Sequence, residues 1–141
     1  MKMSNKAMGN SFERQLCDLL SKHGFWAHCM TQNASGQPAD IITAKRCYHT
    51  LIDCKVVSGE RFPFSRAEEN QRSAMDSFYS RTGFPCWFAL LLPNGDIRFL
   101  SHLSLKWLED GENMRSLSLA QMDNATRSFE DWLEIVKDEI T

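Results

Sequence analysis

The stretch Leu51-Ile52-Asp53-Cys54-Lys55 decides both the fold and the chemistry that this sequence predicts. Its apolar start predicts a buried strand, and the side chains of a strand alternate between the two faces of a sheet. Asp53 and Lys55 therefore point to one side, whereas Ile52 and Cys54 point into the opposite layer. One face of this strand is expected to carry chemistry and the other face to carry packing.

A second carboxylate, Asp40, follows Pro38-Ala39 and precedes Asp53 by thirteen residues. Together with Asp53 and the backbone carbonyl of Cys54 it would form an oxygen cage suited to Mg²⁺, with Mn²⁺ as a substitute, because hard cations prefer oxygen ligands. Lys55 beside that cage would orient a water for attack on a phosphodiester. An Asp-x-Lys triplet alone is common, so the prediction of a metal-dependent nuclease site depends on the combination.

Length and composition limit the class of protein. With 141 residues, 43% of them hydrophobic, the chain is expected to form a single domain over residues 1–141 around one core. No stretch approaches the roughly 20 apolar residues of a membrane span. The first residues also lack the apolar region of a secretory signal, so a cytoplasmic protein is expected.

The cysteines favour packing over metal binding or disulfide formation. Their number is odd and no two of them form a CxxC pair, so neither a disulfide framework nor a zinc site is indicated. We expect reduced thiols at all five positions. These are Cys17, Cys29, Cys47, Cys54 and Cys86.

Charge is distributed unevenly along the chain. The formal net charge is −2, which argues against an indiscriminate binder of nucleic acid. Residues 1–75, however, hold ten basic and seven acidic side chains, whereas residues 76–141 hold six basic and eleven acidic ones. The half that contains the candidate site is therefore the basic half, and bound metal would mask some of its acids.

Apolar periodicity predicts the first elements. Phe12, Leu16 and Leu20 recur at helical spacing and Gly24 follows, so a first helix should end near residue 22 or 23. Three short strands are predicted next, over residues 25–30, 41–44 and 48–57.

A second helix and two more strands follow. Ser65 and Glu68 have the spacing of a capping box, which predicts a helix from there to about Tyr79. Residues 86–92 are almost wholly apolar, as in a strand that is buried on both faces, and Asn94-Gly95 predicts a hairpin into residues 97–100.

Residues from about 101 to 141 are expected to be a helical extension of a core that spans about residues 9–100. A short helix is predicted over residues 103–108. The apolar side chains of a terminal helix form a stripe that predicts packing or a dimer surface rather than chemistry. These are Phe129, Trp132, Leu133, Val136 and Ile140.

Two polar residues on the predicted helices face inward. Glu13 lies between Phe12 and Leu16, and Gln71 shares a face with Met75 at helical spacing. An isolated Glu is most often a solvated helix acid. Because buried polar groups need partners, both side chains are nevertheless candidates for the active site.

The order αβββαβ, with Pro-x-Asp followed by Asp-x-Lys, resembles the PD-(D/E)XK nuclease superfamily, and its details resemble that superfamily's Holliday junction resolvases. Residues 9–14, Ser35-Gly36 and Asp40-Ile41-Ile42 are similar to the archaeal resolvases. Residues 62–65, followed by Gln71, are similar to the RecU family. The resemblance implies a restriction-endonuclease-like α/β fold, with a mixed central sheet flanked by helices and a C-terminal helix.

The same resemblance implies roles for particular residues. Asp40 and Asp53 would bind metal with support from Glu13, Lys55 would be the catalytic lysine, and Gln71 would belong to the site. Two departures stand out: the stalk that RecU proteins insert is reduced to residues 31–38, and the commoner glutamate of the motif is replaced by Asp53. The shorter carboxylate keeps an anionic ligand, so activity should survive that exchange.

The function implied is that of a metal-dependent, structure-selective endonuclease that resolves four-way DNA junctions in recombination and repair. A homodimer is expected, because two opposed strands must be cut, and a recombinase is a further potential partner. The alternatives are a nuclease for flap, nicked or duplex DNA and a catalytically silent DNA-binding accessory module. Contacts with DNA are predicted at Lys2, Lys6, Arg14, Ser35, Lys45, Arg46, Arg61 and Arg66.

Overall fold

The computed structural model describes residues 5–30 and 37–140. The strands in these ranges are β1 (Trp26–Cys29), β2 (Ile41–Lys45), β3 (Tyr48–Val56), β4 (Arg61–Pro63), β5 (Trp87–Leu91), β6 (Ile97–Ser101), β7 (Ser116–Ser118) and β8 (Arg127–Ser128). The α-helices are α1 (Asn5–Lys22), α2 (Glu69–Thr82), α3 (His102–Asp110), α4 (Met122–Ala125) and α5 (Phe129–Ile140). The predicted αβββαββ order is present, with β4 as an addition before α2.

A mixed sheet forms the centre of the fold. Its strand order is β1-β2-β3-β5-β6-β8, and β4 and β7 form a separate two-stranded sheet. Strands β3 and β5 are parallel, whereas the other neighbours in the large sheet are antiparallel. Helix α2 makes the crossover that a parallel pair requires. Strand β3, which carries the Asp-x-Lys triplet, therefore lies in the interior of the sheet.

Helices cover both faces of the sheet. On one face, the core contains Phe12 and Leu16 from α1 with Trp132 from α5. On the other face, it contains Met75 from α2 and Leu105 from α3, together with apolar residues of the small sheet. This is the mixed sheet flanked by helices that was predicted, and the C-terminal helix is present as a packing element.

Local sequence accounts for the boundaries of the first helix and of the hairpin. At the end of α1, Gly24 adopts a φ of +86°, and the Phe25 N–H donates to the Leu20 carbonyl at 3.0 Å. In the hairpin between β5 and β6, Gly95 has a φ of +92° and the Asp96 N–H donates to Asn94 Oδ1 at 2.9 Å.

The predicted start of α2 was wrong. Residues Phe64–Arg66 form one turn of 3₁₀ helix, and α2 begins later, with Glu68 as its N-cap. The Arg72 guanidinium donates to the backbone carbonyls of Phe64 and Ala67, both at 3.0 Å. Ala67 and Glu68 both have extended backbone conformations, so the α-helix starts only after Glu68, and Gln71 instead of Glu68 is the third residue of the capping box.

No helix in residues 5–30 or 37–140 is long and apolar enough to cross a membrane.

Candidate active site

Strand β3 places Asp53 and Lys55 on the α2 side of the sheet, as the alternation of side chains predicted. Asp53 is fully buried, and the Lys55 side chain is 12% exposed. Ile52 and Cys54 belong to the core on the α1 side.

Asp40 lies just before β2 and is held against β3 by several hydrogen bonds. Its Oδ2 accepts from the Cys54 N–H at 2.7 Å, and its Oδ1 accepts from the Gln37 side-chain amide at 3.3 Å. Its backbone N–H donates to the Ile52 carbonyl at 3.1 Å, and its own carbonyl accepts from the Met30 N–H at 2.8 Å. The carboxylate is thus fixed beside the backbone of the Asp-x-Lys triplet.

Asp53 contacts both Lys55 and Gln71. Its Oδ1 accepts a hydrogen bond of 2.9 Å from the Gln71 amide. Its Oδ2 lies 3.1 Å from the Lys55 ammonium but has no hydrogen bond of acceptable geometry, although it is buried. The other end of the Gln71 amide accepts from the Glu68 N–H at 3.2 Å. The helix cap therefore orients the amide that holds Asp53.

Two carboxyl groups of the site have raised pKa values. Burial raises the pKa of Asp53 to about 8, with a further contribution from the charge of Asp40 and an opposing one from Lys55. Burial and the neighbouring Asp40 also raise the pKa of Glu13 to about 7. Without a cation, both groups would carry a proton over much of the neutral range, and a bound cation would favour their ionised forms.

The donors at this place fit a hard divalent cation. They are the oxygens of Glu13, Asp40 and Asp53, and the thiol of Cys54 points into the core on the other face. The buried Asp53 Oδ2 already faces the Lys55 ammonium at 3.1 Å, and a metal cation would be a second positive partner for it. In the described part of the chain, no group of three His, Cys, Asp or Glu residues is already spaced to hold a metal.

A cleft of about 750 Å³ opens above these groups. Three of its lining side chains, Lys55, Arg61 and Arg66, are basic. The others in the lining are Gly9, Glu13, Gln37, Asp40, Cys54, Val56, Ser58, Gly59, Pro63, Glu68, Asn70 and Gln71. The cleft thus combines Glu13 and Asp40 with cations that suit a phosphate backbone, whereas the fully buried Asp53 lies outside its lining and contacts it through Lys55 and Gln71.

The predicted DNA-contact residues are only partly brought together. Arg61 and Arg66 line the cleft. Lys45 is the last residue of β2, five residues after Asp40 and thus roughly 16 Å away at the opposite end of the strand, and Arg46 lies in the turn that follows. Lys45 donates to the His23 carbonyl at 2.9 Å, so it also has a local structural contact.

The remaining predicted contacts have no place in the cleft lining. Arg14 and Lys6 are exposed on α1. Lys2 and Ser35 lie outside the described residues, as does most of the shortened stalk segment. The roles of these side chains in DNA binding stay predictions.

Sequence reasoning missed two residues that support the carboxylates. Gln37 donates to Asp40, and Glu68 orients the Gln71 amide through its backbone N–H. Gln37 lies three residues before Asp40, and this proximity was the only sequence signal for it. The role of Glu68 depends on its being the N-cap of α2. The Ser65 pattern predicted an earlier start for this helix, so the role of Glu68 was missed.

Comparison with known proteins identifies the family. The family model described as archaeal Holliday junction resolvase (Hjc) matches residues 4–140. The fold is similar to the 1.6 Å structure of Archaeoglobus fulgidus Hjc, a Holliday junction resolvase from an archaeal hyperthermophile, with a TM-score of 0.66 and 21% sequence identity. That likeness covers 87% of this chain and 98% of the other.

No curated protein matches the sequence. The family match nevertheless spans almost the whole chain, and the matched structure shares its fold. The order αβββαβ and the pair of Pro-x-Asp and Asp-x-Lys motifs agree with both findings. The chain belongs to the archaeal Holliday junction resolvase (Hjc) family, within the PD-(D/E)XK nuclease superfamily.

Proposed function

We propose that this protein cuts four-way DNA junctions by Mg²⁺-dependent hydrolysis, with the cleft beside Asp53 as its active site. Membership in the resolvase family establishes a junction-directed nuclease. The observation that supports the location is that Asp40 and Lys55 line one cleft, with the buried Asp53 carboxyl 3.1 Å from the Lys55 ammonium. Mn²⁺ is expected to replace Mg²⁺, because the donors are oxygens.

The proposed metal ligands are the carboxylates of Asp40 and Asp53 and the backbone carbonyl of Cys54, with Glu13 as a further acid nearby. A divalent cation here would polarise the scissile phosphate and acidify a water. Asp40 is kept in position by the Cys54 N–H, and Asp53 by the Gln71 amide. Few protein ligands are needed, because Mg²⁺ keeps several of its own waters.

Lys55 is the residue proposed to act on the nucleophile. Lys55 lines the cleft, and its side chain is mostly shielded from solvent. There it would hold a water, or stabilise the charge that develops on the phosphate. Gln71 is a positioning residue, since it acts through Asp53. These assignments rest on geometry and on the family resemblance together.

Arg61 provides a test of the DNA-binding surface. We expect Arg61→Ala to weaken junction binding by roughly 3- to 10-fold at low salt, because one phosphate contact is lost. For the same reason, the slope of the logarithm of the binding constant against the logarithm of the salt concentration should decrease in magnitude by about 1. The measurement is a titration of labelled junction at several salt concentrations, in chelator so that no cutting occurs.

Arg81→Ala is the matched control for that titration. Both arginines donate to a serine hydroxyl, Arg61 to Ser116 and Arg81 to Ser77, but Arg81 lies near the far end of α2. Its removal should leave binding unchanged. Equal losses in the two variants would show that the cleft is not the DNA-binding surface.

The raised pKa values predict a pH-dependent requirement for metal. Asp53 and Glu13 must lose their protons to bind a cation, and their pKa values are about 8 and about 7. The Mg²⁺ concentration for half-maximal cleavage should therefore fall severalfold as the pH rises from about 6 to about 8.5. The measurement is the cleavage rate as a function of Mg²⁺ concentration at several pH values in this range. A half-maximal Mg²⁺ concentration that does not change with pH would contradict the assignment of these ligands.

Other readings of the same cleft make different predictions about substrate. The shortened stalk segment leaves open flaps, nicked duplexes and linear duplexes as targets, and a silent binding module would cut none of them. Cleavage of a four-way junction should be compared with these three substrates at equal concentration and in Mg²⁺. Preferential cutting of the junction supports the proposal, whereas equal cutting of all four substrates would overturn it.

A homodimer is also proposed, since cutting two opposed strands needs two active sites related by twofold symmetry. Each subunit is proposed to be a single nuclease domain, because helices α1, α2, α3 and α5 all pack on the one large sheet. The number of subunits is measured by sedimentation in the presence and absence of junction DNA. A complex of one subunit per junction that makes paired cuts would contradict the dimer.

A further inference from the structure

Two cysteines lie in contact beside the candidate active site. Cys17 on α1 and Cys29 on β1 have their Sγ atoms 2.7 Å apart, and both residues are partly exposed. We propose that Cys17 and Cys29 form a reversible disulfide within one chain when the protein meets a low-molecular-weight disulfide. This inference is independent of the proposed nuclease function.

The folded structure already brings the two thiols together. Helix α1 is anchored by buried Phe12, Leu16 and Leu20, and β1 pairs with β2 along the sheet. A disulfide has an S–S length of about 2.05 Å, so closing the bond needs a shift of less than about 1 Å between two elements that are already packed.

The other cysteines differ from this pair in exposure. Cys54 and Cys86 are buried, where a reagent cannot reach them, and Cys47 is exposed. Exchange at Cys47 should therefore stop at a mixed disulfide. Cys17 and Cys29 instead offer a second thiol at contact distance, which resolves the first adduct.

The exchange is balanced in atoms and electrons. The thiolate of one cysteine attacks a sulfur of the small disulfide, whose S–S bond breaks and releases one thiol. The second cysteine then attacks the protein sulfur of the mixed disulfide and releases the other thiol. The two protein thiols lose two electrons and two protons in total, and the small disulfide is reduced to two thiols.

The bond would join α1, which carries Glu13, to β1, which pairs with the strand that follows Asp40. Cys17 lies four residues after Glu13, so the two share a face of α1. Cys29 Sγ lies 3.8 Å from the Glu13 carbonyl oxygen, and Cys29 pairs with Ile41, the residue after Asp40. The disulfide would link the helix that contains Glu13 covalently to the strand next to Asp40. It would also lower the conformational entropy of the unfolded chain.

The test is oxidation of the full-length protein with oxidised glutathione, followed by peptide mapping without reductant. Burial and the contact with Cys29 raise the pKa of the Cys17 thiol to about 12, so exchange is slow and the incubation should last hours at about pH 8. We expect a linked peptide pair that contains Cys17 and Cys29. The melting temperature should rise by about 5–10 °C and return to its starting value with dithiothreitol.

Three comparisons make the result decisive. Cys47→Ser should still form the linked pair, whereas Cys17→Ser should carry glutathione on Cys29 with no rise in melting temperature. Wild-type protein in urea should form the linked pair much less readily, because the unfolded chain does not hold the two thiols together. This comparison tests the effect of the fold on disulfide formation without a substitution, so it remains valid even where a variant fails to fold. Glutathione on Cys29 of the native protein without a linked pair, or equal linking in urea, would overturn the proposal.

Discussion

Asp53→Asn is expected to reduce junction cleavage by at least about a thousandfold, because loss of this proposed metal ligand would remove several kcal/mol of transition-state stabilisation. The substitution keeps the shape of the side chain and the acceptor for the Gln71 amide. DNA binding should therefore persist. Single-turnover cleavage of a labelled junction, together with a binding titration in chelator, measures the two effects separately.

The same substitution should stabilise the protein when no metal is present. Burial raises the pKa of Asp53 from 3.8 to about 8, so the folded state binds a proton more tightly than the unfolded state does. The contribution of Asp53 to the stability of the metal-free wild type must then fall as the pH rises from about 4 to about 8. Asparagine does not ionise and avoids this loss, so Asp53→Asn should gain roughly 1 to 3 kcal/mol at pH 8 and less at pH 5.

Thermal melts in chelator across that pH range test the stability effect. Asp110→Asn, at an exposed aspartate at the end of α3, is the control and should change neither melting nor cleavage. An Asp53→Asn protein that cuts at the wild-type rate would remove Asp53 from the active site. One that cuts slowly but melts below the wild type at pH 8 would contradict the raised pKa.

Lys55→Ala is expected to slow cleavage by roughly 100- to 1,000-fold, the usual effect of removing one group that stabilises developing charge. The Lys55 ammonium is the cation next to Asp53 Oδ2, at 3.1 Å, and it is mostly shielded from solvent. Its loss should leave junction binding within a fewfold of wild type, since the surface of the cleft keeps Arg61 and Arg66. Single-turnover rates at saturating Mg²⁺ are the measurement.

Lys106→Ala provides the control for the lysine, because Lys106 is exposed on α3 and lies outside the cleft. It should cut at the wild-type rate. If Lys55→Ala lost binding as much as cleavage, Lys55 would be a DNA contact rather than a residue that acts in the chemical step. If Lys55→Ala cut normally, the assignment of the catalytic lysine would be wrong.

Much of the central architecture could be predicted from local sequence. Alternation along β3 placed Asp53 and Lys55 on one face, and helical spacing turned Gln71 inward. These patterns are strong because they repeat over several residues. The strands β4, β7 and β8 were not predicted, because two or three residues are too short to show a period and depend on partners distant in sequence.

Side-chain partners across the fold were harder to predict. The Ser65 pattern suggested an early start for α2, but Ala67 and Glu68 are extended, and Arg72 from the later helix donates to the carbonyls of Phe64 and Ala67. The sequence alone offered no reason to rank Arg61 above Lys45 as a DNA contact. In the structure, Arg61 lines the cleft, whereas Lys45 lies at the far end of β2. The contact between Cys17 and Cys29 likewise depends on how α1 packs against the sheet.

Cleavage of an immobile four-way junction in a single turnover, by wild type and by Asp53→Asn, tests the central claim most directly. Each protein is assayed in Mg²⁺ and in chelator, alongside the linear duplexes that make up the junction arms. We predict paired nicks at symmetric positions on two opposed strands of the junction, made only by wild type in Mg²⁺. Nicks that appear in chelator, in the linear arms at the same rate, or with Asp53→Asn would contradict the account.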